Sequence, residues 1–336
     1  MLVFLFAHIF AETDRRLDPF QFNLCVWDLE GIDPTFEDVT NSILTDPREL
    51  EEGQIASTMY SQLSTCDMFV LPGLRNHTTA KNLIKKMEEK EFSGFTAYPT
   101  SGRYDSTLLS RIDLENTTDF KPNEFEYPIP NSKCNFTGTG HAMMNMSFYG
   151  TLHFHDPTPL SHVFSVRLKT GNTPENCAFR EAQADLICKK VKEIDSSNFI
   201  FVAGSFEASS DDPYYEVLTN CGLTDVKYLA KDPYTRVNKT SSEKLYYDTV
   251  FVNDAIKNDK RLDTLKIKNE AEVVLPSTSY YTYPLTLYTR LRLTKKWKTF
   301  EISYALCIFL ADAGFFTWLM FFSRERKESD YQQIGE

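Results

Sequence analysis

The chain has 336 residues, enough for one large domain or two small ones with a sizeable core. Its 42% hydrophobic and 25% charged residues are those of a folded protein, which argues against a disordered chain. The formal net charge of -11, from 36 Lys and Arg against 47 Asp and Glu, argues against a nucleic-acid partner, because a phosphate backbone rewards a basic surface.

The first segment, Met1 to Phe10, is apolar and leads through Ala11 into the polar run Glu12 to Arg16. This fits a cleaved signal peptide over residues 1–11, short and without the usual charged start; the alternative is a buried first strand. From about Phe20 to Leu293, short apolar strands alternate with helices. Phe22 to Trp27 reads as a strand, Gln54 to Ser64 as a helix and Met68 to Leu71 as a strand. Thr79 to Glu91 is a charged helix with Leu83, Ile84 and Met87 at helical spacing. Strands follow at Thr107 to Leu109, Ser147 to His153 and Val163 to Leu168, the last two joined by a turn at Asp156 to Pro159.

Ala178 to Ile194 is the clearest helix, with Ala182, Leu186, Ile187, Val191 and Ile194 forming one apolar stripe. Phe199 to Ala203, ending at Gly204, reads as a fully buried strand. Tyr247 to Asn253 and Thr286 to Leu293 close the domain. This mixture predicts an α+β fold, two sheets packed face to face with helices outside. With no repeat and no flexible linker, residues 12–298 read as a single ectodomain.

Ser303 to Phe322 is long and apolar enough to cross a bilayer as a transmembrane helix, with Tyr304 and Trp318 suited to the interfaces and Asp312 the one charged interruption. Basic residues flank it on both sides: Lys295, Lys296 and Lys298 before, Arg324, Arg326 and Lys327 after. The signal peptide decides the orientation, placing the N-terminal domain outside and the tail, 323–336, inside. The expectation is a single-pass type I protein of the cell surface or the endosomal or lysosomal membrane. Asn-x-Ser/Thr triplets begin at Asn76, Asn116, Asn135, Asn145 and Asn238, all before this span. Cys25, Cys66, Cys134, Cys177, Cys188 and Cys221 are an even set suited to an oxidising compartment, with fifteen possible pairings and no zinc-like spacing. In the tail, Tyr331-Gln332-Gln333-Ile334 has the form of a tyrosine-based sorting signal, with Tyr331 and Ile334 as the residues a clathrin adaptor would read.

Several elements, in order, resemble landmarks of the endonuclease/exonuclease/phosphatase superfamily. Cys25-Val26-Trp27-Asp28-Leu29-Glu30-Gly31 resembles T-W-N-(L/V)-x-G, and Cys66 to Gly73 resembles A-D-I-(L/V)-x-L-Q-E. Leu108-Leu109-Ser110-Arg111 matches (I/V)-L-S-R, and Arg180 and Gln183 occupy R-x-x-Q. Gly204-Ser205-Phe206-Glu207 stands where the family has G-D-F-N, Cys221 to Asp225 resembles G-(L/F)-x-D, and Tyr247 to Val252 resembles the motif that contains I-D. The resemblance covers nearly the whole ectodomain and implies a two-sheet α/β sandwich of the deoxyribonuclease I-like type.

It also implies a chemistry, metal-assisted hydrolysis of phosphate esters, for which this chain lacks most of the residues. The family's opening Asn becomes Asp28, and its metal-binding Glu becomes Gly73, after Pro72. A His becomes Arg167, and the Asp and Asn of G-D-F-N become Ser205 and Glu207. The terminal S-D-H falls on Tyr280-Tyr281-Thr282, with Pro284 keeping the frame; Asp248 alone is retained. Losing a general acid or base costs about 10²–10⁴-fold, so the catalytic set Asp28, Gly73, Arg167, Ser205, Glu207, Asp248, Tyr281 and Thr282 reads as degenerate and no cofactor is expected.

The opposing expectation is a rebuilt site in which Asp28, Glu207 and Asp248 hold Mg²⁺ and Arg167 and Arg111 bind phosphate. His153 and His155, on one strand face, have a spacing compatible with metal, although exposed histidines near a turn explain them as well. Three carboxylates without metal repel each other, and either a bound cation or a basic partner relieves this. The first expectation is therefore a catalytically inactive membrane-anchored module that binds an extracellular protein or lipid ligand. Its alternative is a metal-dependent ectophosphodiesterase or phosphatase.

Overall fold

The computed structural model describes residues 21–29, 47–74, 77–99, 106–119, 124–144, 147–154, 159–230, 233–259, 262–267 and 280–292. All fall within the unit Met1–Leu293. The signal peptide, Asn76, Asn145, His155, the 303–322 span and the Tyr331–Ile334 signal lie outside the described residues. Among those described, no helix is long and apolar enough to cross a membrane.

The central strands are apolar on both faces because each face meets a different layer. The first sheet runs, in spatial order, β15 (Leu262–Ile267), β17 (Leu285–Arg292), β1 (Gln21–Val26), β2 (Met68–Pro72), β4 (Ser106–Ser110) and β3 (Thr96–Pro99). The second runs β11 (Leu223–Asp225), β14 (Asp248–Asn253), β10 (Phe199–Ser205), β9 (Ser161–Arg167), β8 (Ser147–Leu152) and β5 (Glu115–Asp119). Each has one parallel pair near its middle, β1 with β2 and β10 with β9, flanked by antiparallel neighbours.

Phe22, Leu24, Val26, Met68 and Val70 face Val163, Phe201, Ala203, Val250 and Val252 between the sheets. Period-two alternation sends Cys25, Trp27, Phe69 and Leu71 the other way, where Ile55, Met59, Leu83 and Met87 cover them. Those four come from helices α1 (Pro47–Gln62) and α2 (His77–Glu88). On the second sheet, Phe164, Val166, Ile200 and Val202 meet Ala182, Leu186, Ile187 and Val191 of α3 (Pro174–Lys192) and Leu218 of α4 (Pro213–Asn220). The expected stripe on α3 is thus the buried one. Each such side chain removed from water contributes about 1.5–3 kcal/mol, so three buried clusters, one between the sheets and one under each helical layer, hold the domain together.

Helix boundaries shift for local reasons. Helix α3 begins before its apolar stripe because Thr173 caps it, its side chain accepting from the Asn176 amide at 3.2 Å, with Pro174 in the first turn. The short helix α5 (Asp254–Asn258) follows β14. Strands β3, β5, β11 and β15 of the two sheets escaped the sequence reading, and so did two further strand groups. These are the hairpin β6 (Glu124–Tyr127) with β7 (Gly140–Met143), and the ribbon β13 (Lys244–Leu245), β12 (Arg236–Asn238) and β16 (Tyr280–Thr282).

The six cysteines form three pairs, Cys25–Cys66, Cys134–Cys177 and Cys188–Cys221. Arg180 and Gln183 have a structural task. Arg180 Nη1 donates to the carbonyls of Lys169 (2.9 Å) and Gly171 (2.6 Å), and Gln183 Oε1 accepts from the Lys169 amide at 2.9 Å. Together they pin the chain that leaves β9.

Candidate functional site

Of the resembling positions, Asp28, Arg167, Ser205, Glu207 and Asp248 gather at one end of the sandwich, where strand direction puts them. Asp28 follows the C-terminal end of β1, and Arg167 and Ser205 end the parallel strands β9 and β10 as register partners. Asp248 opens the antiparallel β14 opposite Ser205. Glu207 lies two residues beyond β10 with φ +56°. Gly204 makes this crowding possible: its φ is +151°, and a Cβ there would meet the Val166 carbonyl oxygen at 1.8 Å.

Into this end the ribbon inserts Arg236, the residue the sequence reading missed. Its Nη2 donates to Asp28 Oδ2, to Ser205 Oγ at 2.6 Å and to Asp248 Oδ1 at 3.3 Å, and its Nη1 donates to Glu207 Oε2 at 3.1 Å. The other oxygen of Glu207 accepts from Arg167 Nε at 3.1 Å. Thr235, next to Arg236, anchors the ribbon: its Oγ1 accepts from the Asp248 amide at 3.1 Å, and its carbonyl accepts from the Tyr283 amide at 2.7 Å. All five charged side chains are buried, with Asp28 and Asp248 at 0% exposure.

Burial alone would raise the Glu207 carboxyl, but Arg236 and Arg167 outweigh it and hold it at about 2. Asp248 goes the other way. Burial pushes it up to about 7, aided by the charges of Asp28 and Glu207 and opposed by Arg236. Its Oδ2 has no hydrogen-bond partner among the described residues. Burial works against the charge on Arg167, yet Asp28 and Glu207 overcome it and Arg167 stays cationic. Among the described residues, three acids meet two guanidinium groups here, an excess of one negative charge that a proton on Asp248 would cancel.

A hard divalent ion asks for several oxygens converging at about 2.0–2.6 Å. Here the oxygens of Asp28, Glu207 and Asp248 converge on the two NH₂ groups of Arg236. No three His, Cys, Asp or Glu among the described residues are grouped to hold a metal. The residues present do not fit the ion that the resemblance implies.

The remaining predicted positions are scaffold. Gly73 takes φ +84° just past β2, where Leu29 N donates to the Pro72 carbonyl at 2.9 Å. Thr282 is buried and accepts from Trp27 Nε1 at 3.2 Å. Tyr281 pairs with Val237 in the ribbon through its backbone. Arg111 does not join Arg167. Ser110 pairs with Met68 at the opposite end of β2 from the site, and the Arg111 guanidinium lies over the rings of Phe92 (4.5 Å) and Phe95 (4.7 Å). His153 is exposed and pairs with Glu115 at 3.1 Å. Of the described sequons, Asn116 and Asn135 are exposed, while Asn238 Oδ1 accepts from the amides of Thr240 and Ser241 and so caps a turn.

No protein-family model matches the sequence, and no curated protein matches it. Solved structures do. A beta toxin from Staphylococcus aureus aligns with TM-score 0.56 at 13% identity over 80% of this chain and 99% of its own. An endonuclease/exonuclease/phosphatase from Bacteroides vulgatus aligns with TM-score 0.54 at 12% identity over 81% and 99%. TDP2 from D. rerio, complexed with single-strand DNA product, aligns with TM-score 0.51 at 14% identity over 80% and 98%. At such identities the likeness speaks for architecture, and the architecture is the deoxyribonuclease I-like fold of the endonuclease/exonuclease/phosphatase proteins.

Proposed function

We propose that this chain is a membrane-anchored, non-hydrolytic member of that fold, whose sandwich serves as an ectodomain that binds an extracellular protein or lipid ligand. One observation carries the reading: the buried carboxylates of Asp28, Glu207 and Asp248 are engaged in ion pairs by the chain's own Arg236 and Arg167. A hydrolase of this type needs carboxylates left open for a metal and a side chain that moves protons. Arg167 cannot act as a base, since guanidinium keeps its proton, and Ser205 is already bonded to Arg236.

The apolar 303–322 segment supports the membrane anchor, and the acidic composition speaks against a nucleic-acid ligand. The Tyr331–Ile334 signal supports a route through clathrin adaptors to endosomes.

The test is phosphoesterase activity of the purified full-length protein in detergent, with Mg²⁺, Mn²⁺ or Ca²⁺. DNA, sphingomyelin and a chromogenic phosphodiester serve as substrates, and Asp248→Ala as the control. Background turnover from folded protein is expected. Turnover that disappears with chelator and in the control would establish the alternative, a metal-dependent ectophosphodiesterase or phosphatase.

A further inference from the structure

Among the described residues, four oxygens and one ring meet the Arg236 side chain. Asp28 Oδ2, Ser205 Oγ, Glu207 Oε2 and Asp248 Oδ1 accept from its two NH₂ groups, and the Tyr247 ring centroid lies 5.3 Å from its Cζ. A guanidinium is planar, weakly hydrated for a cation, and able to bond in a fork while stacking on an aromatic face. A divalent metal offers none of this. It demands short, convergent oxygen contacts and gives up its water reluctantly.

We propose that Asp28, Ser205, Glu207, Asp248 and Tyr247 form a receptor site selective for a guanidinium ion, filled in this chain by Arg236 itself. The proposal rests on the reading of the site as metal-free and goes beyond it by naming the ligand class. The acceptors and the ring belong to the sandwich end and its adjoining loop, whereas Arg236 enters on the separate β12 ribbon. Cutting that side chain back therefore removes none of the receptor's own groups. An uncompensated cluster of buried carboxylates is costly, so the emptied site takes up a free ion of matching shape. The intact protein, with its cation supplied covalently, has no need of a divalent ion for stability.

The experiment compares thermal unfolding of full-length wild type and Arg236→Ala in detergent, each with methylguanidinium, methylammonium, Mg²⁺ or Mn²⁺ at millimolar concentration. The expected fall in Tm for the variant is roughly 10 °C, the cost of breaking a buried ion cluster in a domain of this size. Methylguanidinium recovers at least half of that fall, the other three ions recover little, and wild type responds to none.

Recovery by Mg²⁺ or Mn²⁺ equal to that by methylguanidinium would overturn the proposal in favour of a metal site, and so would a folded variant indifferent to methylguanidinium. If Arg236→Ala alone does not fold, Arg236→Ala with Asp28→Asn removes one uncompensated carboxylate while keeping an oxygen acceptor there, and is read by the same criteria. The two readings fail separately. Hydrolysis by wild type contradicts the non-hydrolytic reading, whereas the ion that rescues the variant decides the receptor.

Discussion

Glu207 Oε2 accepts from Arg236 Nη1 at 3.1 Å while the Glu207 backbone is held at φ +56°, a conformation that residues with a Cβ avoid. That strain costs about 1–3 kcal/mol and persists only where the surroundings over-determine it. Here a carboxylate shared by two buried guanidinium groups supplies the determination.

Glu207→Gln keeps the side chain's shape and the backbone strain but removes the charge, leaving Arg167 and Arg236 short of a counter-ion. We expect a loss of about 3–5 kcal/mol, which at roughly 2–4 °C per kcal/mol lowers Tm by roughly 6–20 °C. An unchanged Tm in a thermal melt at neutral pH would mean that the arginines do not depend on Glu207.

Gly204→Ala tests the close approach of the two central parallel strands. Gly204 pairs with Val166 on one side and Thr249 on the other, so neither neighbour can retreat without breaking a ladder. A Cβ placed 1.8 Å from the Val166 oxygen forces that break. The expected cost is about 3 kcal/mol or more, from overpacking and an unfavourable φ together. The midpoint of urea unfolding reads it, and a shift within error would show that β9 and β10 separate easily.

The fold was legible because its signals are local. Phe199 to Ala203 is apolar on consecutive residues, as a strand covered on both faces must be, and Ala182, Leu186, Ile187 and Val191 mark the buried side of α3. Motifs containing Asp28, Ser205, Glu207 and Asp248, with Arg167, also fall where the structure gathers those side chains.

Arg236 was not legible. It lies in no motif, on a three-residue strand too short to show a period, and its partner Asp28 is 208 positions away. Charge balance predicts that three buried carboxylates need a cation or a basic partner, but it does not say which arginine. The disulfides were open for the same reason. Pairing depends on which strands become neighbours, as Cys25 on β1 and Cys66 just before β2 do.

The Cys134–Cys177 pair ties the segment after hairpin strand β6 to the first turn of α3 across 43 positions, with Cα atoms 5.5 Å apart. Closing a loop of that length removes unfolded-state entropy worth about 3–4 kcal/mol. Replacing both cysteines with Ser should lower Tm and let the amides of 124–144 exchange faster, while those of β9 and β10 stay protected. Equal acceleration throughout would show that the hairpin segment and the sheet open as one unit.

Two groups give the stability of this protein opposite responses to acid. Asp248 titrates at about 7 in the folded state against 3.8 when free, because burial and the neighbouring carboxylates disfavour its charge. Between those values the folded protein binds more protons than the unfolded one, so this contribution is complete below 3.8 and lost as pH rises through 7. Burial lowers His162 to about 4 from 6.5, where its ring lies between the Tyr149 hydroxyl (2.6 Å) and Asn198 (3.1 Å). Its contribution is complete above 6.5 and lost as pH falls through 4. Glu207, held at about 2, adds a loss only below about 4.5.

Across pH 4.5–6.5 Asp248 and His162 therefore work against each other, and wild type should be nearly level. His162→Gln leaves the raised carboxyls of Asp248 and Asp225 and should become more stable on acidification through this window. Asp248→Asn leaves His162 and should become less stable, moderated by Asp225, whose buried carboxyl is also raised. Urea midpoints at three pH values distinguish the slopes. If both variants keep the wild-type slope, neither proton is controlled by the folded environment described for it, and the surplus charge of the Arg236 cluster must be balanced elsewhere.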